Sequence, residues 1–507
     1  MKPLVTKNEM KRVDGYSIET IGIPSAVLME KAAMSVAEAV RDYCLRKEYS
    51  YPQQKILVVC GTGNNGGDGV AVARILNEWG FLASVLLLGE ETKATEETKH
   101  QLSIARRLEV EIQHETDFNE YTIIVDAIFG IGLSREITGN YREVIEKINQ
   151  TKSWVCSVDI PSGIHADTGT VMGVAVKADL TVTFGIKKIG MVLYPGCDYA
   201  NRVIVADIGF PKKAVESVCP KVFYLEPEDK KMLPERKKDS NKGMYGRVLI
   251  IGGSKDMSGA CYLSAKAAYR TGAGLVKIMT EETNRIILQT QLPEALLATY
   301  KIEDGLDLKE TVLKELNWAT VIVIGPGLGT KKHAEELLKT VLEYALVPVI
   351  IDADAINLLA QNQYLKELFQ SKNRGEQFIF TPHLKEMSRL SGDSIDKIKA
   401  NLVSYGMEYA KKEKICLVLK DARTIISDGV VAYINCSGNN GMSTGGSGDV
   451  LTGIIAGLLA QKATLLEAGA FGVYLHGLAA DREILEGNTY SLIASDIIKG
   501  LKKEITK

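Results

Sequence analysis

The sequence predicts an α/β protein built from two domains, and three observations support this. First, 507 residues exceed what a single hydrophobic core usually organises. Second, short apolar runs alternate with amphipathic stretches, which is typical of parallel strands buried on both faces and separated by helices. Third, the segment between Gly209 and Asn241 interrupts this alternation with four prolines and a cluster of lysines, as domain junctions often do. We therefore expect domains at residues 1–215 and 236–507, joined by a linker at 216–235.

The first half is predicted to be a series of βαβ units. Ahead of Lys55 we expect helices that cover one face of the sheet, because SIETIGIPSAVLMEKAAMSVAEAV carries apolar side chains at intervals of three and four residues. The predicted strands, each followed by a helical stretch or a loop, are KILVVC from Lys55, ASVLLL from Ala83, TIIVDAIF from Thr122 and WVCSVDI from Trp154.

A second α/β series follows the junction. Its predicted strands are contained in RVLIIGGS from Arg247, GLVKIMT from Gly274, ATVIVIGPGLG from Ala319, VPVIIDADA from Val347, QFIFTPH from Gln377 and ICLVLKDARTII from Ile415. A glycine-rich segment and further helices complete it. The two halves share no motif spacing, which favours fusion of unrelated domains over internal duplication.

Composition excludes several classes of protein. There are 61 Lys and Arg residues against 63 Asp and Glu, a net charge of -2, which is too balanced for a protein that binds nucleic acid mainly by electrostatic attraction. The eight cysteines form no CxxC pair or cluster with histidine, so we expect no zinc site, no disulfide framework and a reducing compartment. No apolar segment resembles a signal peptide or reaches the roughly 20 residues of a membrane helix. We therefore expect a cytoplasmic protein with no nucleic-acid or membrane partner.

The segment GTGNNGGDG, Gly61 to Gly69, follows a predicted strand and opens a helix, so it satisfies the G-x-G-x-x-G pattern of a dinucleotide loop. Two features argue against a simple dehydrogenase loop. Asn64 and Asn65 are inserted polar residues, and the carboxylate of Asp68 would lie beside the pyrophosphate that the helix N-terminus should bind. A glycine turn that only joins strand to helix is the other alternative, but it does not account for two amides and an acid.

Polar side chains follow three predicted strands of the first half. Because carboxyl ends of parallel strands meet at one edge of a sheet, Asn65, Asp126 and Asp159 should lie near each other, with Ser162 close by. Oxygen donors collected in this way suit a cation, and a buried carboxylate among them could transfer a proton. Helix capping by Asp or Ser remains an alternative for each residue.

Five motifs of the first half resemble a known family. LMEKAA, GTGNNGGDG, DAIFGIGLSREITG, VDIPSGI and ADLTVTFGIKKIG lie in order across positions 28–190 and resemble the NAD(P)H-hydrate epimerase domain, which has a Rossmann-like three-layer α/β/α fold. The resemblance implies that Asn65, Asp126 and Ser162 hold a potassium ion. It also implies that the hydrated nucleotide is bound by Asn64, Asn65, Gly66, Gly67, Asp68, Gly130, Ile131, Gly132, Leu133, Ser134, Arg135, Glu136, Tyr141 and Asp159.

The same resemblance implies catalytic roles for two of these side chains. Asp159 would be the acid/base group of the epimerase. Lys188, in FGIKKIG, matches the family's lysine and would assist it. An ordinary solvent-exposed lysine pair is the alternative interpretation of this motif.

The most informative stretch of the second half is GNNGMSTGGSGDVLTGIIAGLLA, from Gly438. The amides of Gly446, Ser447 and Gly448 precede an apolar helix and can converge on an anion at its N-terminus. Asp449 would repel that anion, which makes sense if a hydroxyl must be deprotonated or oriented while phosphate is transferred to it. The alternative is an acidic residue that only stabilises the first helical turn. No GxxxxGK[ST] occurs, so a P-loop mechanism is excluded.

The GGSGD segment, after an α/β series with GPGLG and TPH, resembles the ribokinase-like α/β/α fold and its ADP/ATP-dependent NAD(P)H-hydrate dehydratase branch. The matching motifs run in family order from Lys242 to Gly453. The resemblance implies that Ala260, Gly327, His383 and Asp449 contact the hydrated nucleotide, with Asp449 catalytic. It implies that the adenine nucleotide is bound by Lys420, Asp421, Ala422, Arg423, Thr424, Gly446, Ser447 and Gly448.

The surroundings of His383 carry a separate prediction. Thr381 and Pro382 are predicted as the N-cap and first residue of a helix, which would place His383 in the first turn. The alternative is a histidine that packs or caps. Where the family usually has Pro-Gly after this histidine, the chain has Leu384 and Lys385. A residue larger than glycine would weaken a close contact between backbone and substrate.

Together the resemblances imply a bifunctional repair enzyme. The first domain would interconvert the R and S forms of hydrated NADH and NADPH (NADHX and NADPHX). The second would use ADP, with ATP less favoured, and Mg²⁺ to phosphorylate the ring hydroxyl of the S form. Loss of phosphate would then restore the dihydronicotinamide and leave AMP. The expected partners are these small molecules and further copies of the same chain.

Two other functions remain open from the sequence. The second half could be an alcohol kinase for vitamin precursors, with the first half as a nucleotide-binding module. Alternatively, the chain could be a ligand sensor without catalytic activity.

Overall fold

The computed structural model describes residues 1–47, 54–302, 306–372, 375 and 377–505. Two compact units are present. One comprises Pro3–Val222, and the other comprises Met1–Lys2 and Phe223–Lys507. We call them the N-terminal unit and the C-terminal unit. Each contains a mainly parallel sheet between helices, which confirms the predicted α/β class.

The N-terminal unit has a parallel sheet of seven strands in its described part. In sheet order the strands are Ile112–Gln113, Leu82–Leu87, Lys55–Cys60, Ile123–Ala127, Trp154–Val158, Leu180–Phe184 and Arg202–Ala206. The four predicted strands are all present. The strand order reverses next to Lys55–Cys60, and such a switch point is where open α/β sheets bind ligands.

Helices cover both faces of this sheet. Along Lys55–Cys60, Ile56 and Val58 face one hydrophobic cluster, whereas Leu57 and Val59 face another, as the two-residue period of a strand requires. The helices and helical turns of the unit are Lys7–Gly15, Tyr16–Thr20, Ser25–Arg46, Asn64–Glu78, Glu91–Lys93, Glu96–Arg107, Phe118–Glu120, Gly139–Gln150, Ile189–Met191, Gly196–Ala200 and Lys212–Ser217.

The prediction that only helices precede Lys55 is wrong at the first residues. Lys2–Val5 is a strand, and within the N-terminal unit Leu4 and Val5 pair in parallel with Lys187 and Lys188. Leu4 and Val5 are fully buried. So short a segment shows no periodicity in the sequence, and only its partner strand makes it extended. The pairing also fixes the backbone of Lys188.

The C-terminal unit has a sheet whose described strands are parallel up to Cys416–Leu419 and antiparallel thereafter. In sheet order they are Leu296–Tyr300, Leu275–Glu281, Arg247–Ile251, Val321–Ile324, Val349–Ile351, Phe378–Phe380, Cys416–Leu419, Ile425–Ser427 and Ala432–Ile434. A further short strand, Val222–Tyr224, spans the boundary between the units. The segment ICLVLKDARTII contains two antiparallel strands, because the chain turns at residues 420–424.

Its longer helices are Ser258–Thr271, Arg285–Gln291, Leu306–Trp318, Lys332–Tyr344, Asp354–Gln361, Gln363–Lys372, Leu384–Ser391, Ile395–Ala400, Leu402–Glu413, Ser447–Ala460, Leu465–Ile484 and Ala494–Glu504. The helix Ser447–Ala460 is almost wholly buried because its sequence is almost wholly apolar. It packs tightly on Ser258–Thr271. A Cβ added at Gly453 would lie 2.1 Å from the carbonyl oxygen of Ser264, so only glycine permits this approach.

Two further observations concern the described part of the chain. None of its helices combines the length and the apolar character that crossing a bilayer requires. All eight cysteines are free thiols.

Candidate active sites

Asp159 and Lys188 form a buried ion pair in the N-terminal unit. Asp159 follows the strand Trp154–Val158 and adopts a left-handed backbone conformation, with φ of +64°, that is unusual for a residue other than glycine. The Lys188 ammonium contacts the Asp159 carboxylate and donates a hydrogen bond of 2.9 Å to the Thr183 hydroxyl. Lys188 is fully buried, which excludes the interpretation of this residue as solvent-exposed.

A cavity of about 190 Å³ opens beside this pair. It is lined by five of the residues that the sequence assigned to substrate or catalysis, namely Asn64, Asp68, Ile131, Asp159 and Lys188. Apolar side chains, among them Leu28 and Phe210, form much of the remaining wall. The cavity therefore combines an apolar surface with a few charged groups, as small-molecule sites commonly do.

Three charged residues of this cavity were not identified from the sequence: Lys11, Asp14 and Glu97. Two of them, Lys11 and Asp14, come from the first helix, which has no motif that distinguishes it from a surface helix. Burial, then repulsion from Asp159 and from Glu97, raises the pKa of Asp14. Burial, then repulsion from Asp159 and from Asp14, raises the pKa of Asp68 well above its ordinary value.

Asp126 lies fully buried at the end of the next strand of the sheet. Its carboxylate accepts hydrogen bonds from the Ser157 hydroxyl (2.8 Å), the Ser162 amide (2.9 Å) and the Ser162 hydroxyl (2.5 Å). Burial raises the pKa of Asp126, although these hydrogen bonds act against it. The Ser162 hydroxyl also accepts from the Phe129 amide at 2.8 Å. The structure thus brings Asp126 and Ser162 together, as the sequence predicts for strand ends at one rim.

Asn65 lies next to Gly130, where a Cβ would be 3.1 Å from the Asn65 amide oxygen. The amide nitrogen of Asn65 is buried and has no hydrogen-bond partner among the residues that the structure describes. An unpartnered buried amide is costly. The side-chain oxygens of Asn65, Asp126 and Ser162 fit a cation, whereas the unpartnered nitrogen is a donor and instead fits an acceptor atom of a bound molecule.

The glycines of the first loop are required by close packing. A Cβ on Gly66 would lie 1.8 Å from the Gly61 carbonyl oxygen, and one on Gly67 would lie 2.9 Å from the Thr98 hydroxyl. Tyr141 donates to the Leu88 carbonyl at 3.3 Å. In the second loop, Ile131 and Leu133 are half-buried, whereas the exposed members are Gly132, Ser134, Arg135 and Glu136.

In the C-terminal unit, the GGSGD segment forms the start of the helix Ser447–Ala460. Gly446 is the N-cap residue and has φ of +86°, a left-handed conformation that favours glycine. The first amides of a helix have no partner within it. A Cβ on Gly448 would lie 3.5 Å from the Lys420 ammonium, so the positively charged end of Lys420 lies against this loop.

Asp449 is partly buried beside that loop. Its backbone carbonyl accepts a hydrogen bond of 2.8 Å from the Ser264 hydroxyl, which fixes its position against the neighbouring helix. Burial, then repulsion from Asp352, raises the pKa of Asp449 to about 7, against the attraction of Lys420. A carboxyl group that titrates near neutral pH is suited to proton transfer.

Asp352 organises this site but was missed in the sequence, where it appeared only within the predicted strand segment VPVIIDADA. Its carboxylate accepts from Thr381 (2.7 Å), Thr452 (2.6 Å) and the Lys420 ammonium (3.1 Å). Burial would raise the pKa of Asp352, but Lys420 and the two hydroxyls outweigh it and hold this pKa below its ordinary value. The signal available in the sequence was its position directly after a buried strand.

The prediction for the helix after His383 is wrong in detail. His383 itself is the N-cap of Leu384–Ser391, and its Nδ1 accepts from the amides of Lys385 (3.1 Å) and Glu386 (3.2 Å). Thr381 does not cap this helix, because its hydroxyl is bonded to Asp352. The alternative of a capping histidine is therefore the one that the structure shows. The imidazole is 49% exposed and remains accessible.

The other predicted contacts lie at two loops of the same unit. Gly327 has φ of +58°, and a Cβ there would lie 3.0 Å from the Cβ of Ala260, so these two residues are neighbours. In the turn at 420–424, the Thr424 hydroxyl donates to the Asp421 carbonyl at 3.2 Å. Arg423 donates to the Cys436 carbonyl at 3.1 Å, whereas Ala422 is exposed.

Two family models and several known proteins match this chain in sequence. The family model described as NAD(P)H-hydrate dehydratase matches residues 248–503, and the model described as YjeF-related protein N-terminus matches residues 25–190. A protein of Thermofilum pendens is 36% identical over 98% of this chain and 95% of its own length. One of Coxiella burnetii is 37% identical over 99% of each chain. Both relatives are named bifunctional NAD(P)H-hydrate repair enzyme.

Among solved structures, a ribokinase-like superfamily protein of Enterococcus faecalis is 34% identical. It covers 56% of this chain and 95% of its own, with a TM-score of 0.50. Fold and sites together thus define a two-part α/β protein that has a cluster of buried or partly buried carboxyl groups in each part. The chain belongs to the family of bifunctional NAD(P)H-hydrate repair enzymes.

Proposed function

We propose that this chain repairs hydrated NADH and NADPH by two reactions, one in each unit. The observation that carries the proposal is Asp449, a carboxyl group held beside the N-terminus of the helix Ser447–Ala460. The first amides of such a helix can bind a phosphate, and a carboxylate beside that phosphate would repel it, so Asp449 needs a chemical reason. Full-length similarity to bifunctional repair enzymes supplies that reason.

The N-terminal unit would interconvert the R and S hydrates. Asp159 is the proposed acid/base group because it faces the cavity while its carboxylate is held by Lys188 and by the Thr183 hydroxyl. Lys188 would keep this carboxylate oriented. The exposed loop from Gly130 to Glu136 and the side chain of Tyr141 would contact the rest of the nucleotide.

Potassium is the proposed ion of this unit, and Asn65, Asp126 and Ser162 would hold it. When bound it would supply positive charge and fix the loop at Gly130. Support comes from the side-chain oxygens, because the Asn65 oxygen lies next to Gly130 and the Ser162 hydroxyl is bonded to the Phe129 amide beside it. In the described residues no three His, Cys, Asp or Glu side chains are grouped as ligands for a metal, and a site built largely from neutral oxygens needs no such group.

The C-terminal unit would dehydrate the S hydrate. Asp449 would accept the proton of the ring hydroxyl as this hydroxyl receives phosphate from ADP, the proposed donor in preference to ATP. Lys420 and the amides of Gly446, Ser447 and Gly448 would stabilise the phosphate oxygens. Loss of inorganic phosphate would then restore the ring, with AMP as the other product. Ala260, Gly327 and His383 would contact the hydrated nucleotide.

Magnesium would neutralise charge on the transferred phosphoryl group when it is bound. Such an ion commonly needs only one or two protein carboxylates, since phosphate oxygens and water complete its ligands. Asp354 is the residue proposed to hold it. It interacts electrostatically with Asp449, whereas Asp352 is already hydrogen-bonded to three partners.

The test is incubation of the purified protein with mixed hydrates and each nucleotide in turn, followed by chromatography of epimers, phosphate and nucleotides. We expect loss of both epimers, release of inorganic phosphate and reappearance of the dihydronicotinamide absorbance, with ADP more effective than ATP. A stable phosphate ester would instead support the alcohol kinase. Absence of any turnover would support the sensor.

We also propose that the chain forms homo-oligomers and is cytoplasmic. The support for the first is an exposed apolar pair, Ile286 and Ile287, on one helix. The support for the second is the eight free thiols. Light scattering and cell fractionation test these two points.

A further inference from the structure

Two carboxyl groups of the N-terminal cavity have opposite hydrogen-bonding environments. Asp159 accepts from Lys188, from the Thr183 hydroxyl at 3.3 Å and from the Phe184 amide at 3.3 Å. All three are donors, so this carboxylate is held as a hydrogen-bond acceptor. For Asp68, by contrast, no donor contacts the carboxyl group within the part of the chain that the structure describes. No hydrogen bond there stabilises its ionised form.

We propose that Asp68 is the proton donor of the epimerisation and that it works with Asp159 as the proton acceptor. This inference rests on the proposed function of the N-terminal unit. It gives Asp68 a chemical role in place of the simple substrate contact that the sequence implies.

The charged groups that face Asp68 in the cavity come from several elements. Three are carboxyl groups, on Asp14, Glu97 and Asp159, and two are ammonium groups, on Lys11 and Lys188. Lys188 is bound to Asp159, which leaves little compensation for a charge on Asp68. Burial, then repulsion from Asp159 and Asp14, accordingly raises the pKa of Asp68 well above its ordinary value, which favours the protonated form that a proton donor needs.

The hydrate suits such a pair of groups because its hydroxyl-bearing carbon is also bonded to the ring nitrogen. Protonation of the hydroxyl by Asp68 breaks the carbon–oxygen bond, and the electron pair leaves with water. The nitrogen lone pair forms a carbon–nitrogen double bond, which flattens the centre. Water then adds to the other face and gives its proton to Asp159. Water in the shared cavity returns that proton to Asp68.

The first experiment compares Asp68→Asn with wild type, using pure R hydrate. We expect kcat of epimerisation to fall by about 10² to 10⁴-fold, the usual contribution of a general acid. The dissociation constant of the hydrate should change little, because asparagine keeps the shape of the side chain. Asp68→Glu restores a carboxyl group and should recover part of the rate. Unchanged kcat, or a loss explained by weaker binding alone, would refute the role.

Controls separate this inference from the proposed function. Asp42→Asn, on an exposed part of the helix Ser25–Arg46, should leave epimerisation unchanged. Dehydration of pure S hydrate by the other unit should remain intact in every variant. If wild type fails to interconvert the hydrates, the proposed function itself is wrong. If wild type is active and Asp68→Asn is equally active, only the role of Asp68 is wrong.

A spectroscopic measurement tests protonation without turnover. The infrared difference spectrum between wild type and Asp68→Asn at neutral pH should contain the C=O band of a protonated carboxylic acid. An ionised carboxylate band in its place would overturn the proposal. The pH profile gives a further readout, since the fall of the wild-type rate at high pH, where Asp68 loses its proton, should disappear in Asp68→Asn.

Discussion

Asp352 and Asp449 are neighbours at the carboxyl ends of one sheet, yet their proton affinities are shifted in opposite directions. Asp352 is more deeply buried, but Lys420, Thr452 and Thr381 donate to it, and its pKa is lowered. Burial and then repulsion from the nearby Asp352 raise the pKa of Asp449 to about 7. Hydrogen-bond donors thus decide which carboxylate is fixed as an anion and which can exchange a proton.

The pH dependence of dehydration follows from this difference. Asp449 must be ionised to accept a proton, and a pKa of about 7 means that the active form is lost as the pH falls through that value. We therefore expect kcat for phosphate release from pure S hydrate to rise with pH through neutrality and then to level off. Asp449→Asn should lower kcat by about 10² to 10⁴-fold and abolish this rise. A rate that is independent of pH between 5.5 and 8.5, roughly the range that such a pKa governs, would contradict the assignment.

At the scale of elements, the strands were predictable and the capping and pairing details were not. Runs such as KILVVC and RVLIIGGS are apolar on both faces, and this pattern depends only on burial. Lys2–Val5 depends on a partner far along the chain, whereas the turn inside ICLVLKDARTII joins two adjacent strands that pair with each other. The strand ends nevertheless indicated where Asp126 and Asp159 would matter, and the glycine-rich segment indicated Asp449.

Part of the site depends on contacts between elements that no local motif contains. Asp14 reaches the N-terminal cavity from the first helix. Asp352 is recognised as important only when Thr381, Lys420 and Thr452 converge on it from three other elements. His383 is the N-cap because its imidazole accepts hydrogen bonds from two backbone amides. The sequence prediction, which began the helix at Pro382, placed these amides later in the helix.

The convergence at Asp352 predicts that it supports the C-terminal unit as well as its site. Asp352→Asn would leave the partly buried Lys420 ammonium without its hydrogen-bonded carboxylate, and removing one partner of a buried ion pair costs up to about 3 to 5 kcal/mol. We expect the denaturant-induced unfolding transition of this unit to shift accordingly. Asp396→Asn, an exposed change in the same unit, should alter stability by less than about 0.5 kcal/mol. Equal stability of the two variants would show that the network contributes nothing.

At the scale of the whole molecule, two chemically separate sites in one chain predict separable defects. Asp159 and Asp449 lie in different units, and each unit has its own core. Asp159→Asn should abolish conversion of R to S hydrate while dehydration of S hydrate continues. Asp449→Asn should have the reverse effect. Neither substitution changes the volume of a side chain appreciably, so loss of both activities in either variant would contradict the assignment of one reaction to each unit.

The mixture of these two variants is the sharpest test of that arrangement. Given mixed hydrates and ADP, Asp159→Asn alone should stop when the S form is exhausted, apart from slow spontaneous epimerisation. Addition of Asp449→Asn protein should restart the reaction, because its N-terminal unit converts the remaining R form and releases it to solution. Chromatography of both epimers with time measures the restart. If the mixture stops where Asp159→Asn alone stops, while each variant keeps its remaining activity in isolation, the two reactions cannot be joined by free diffusion of the S hydrate.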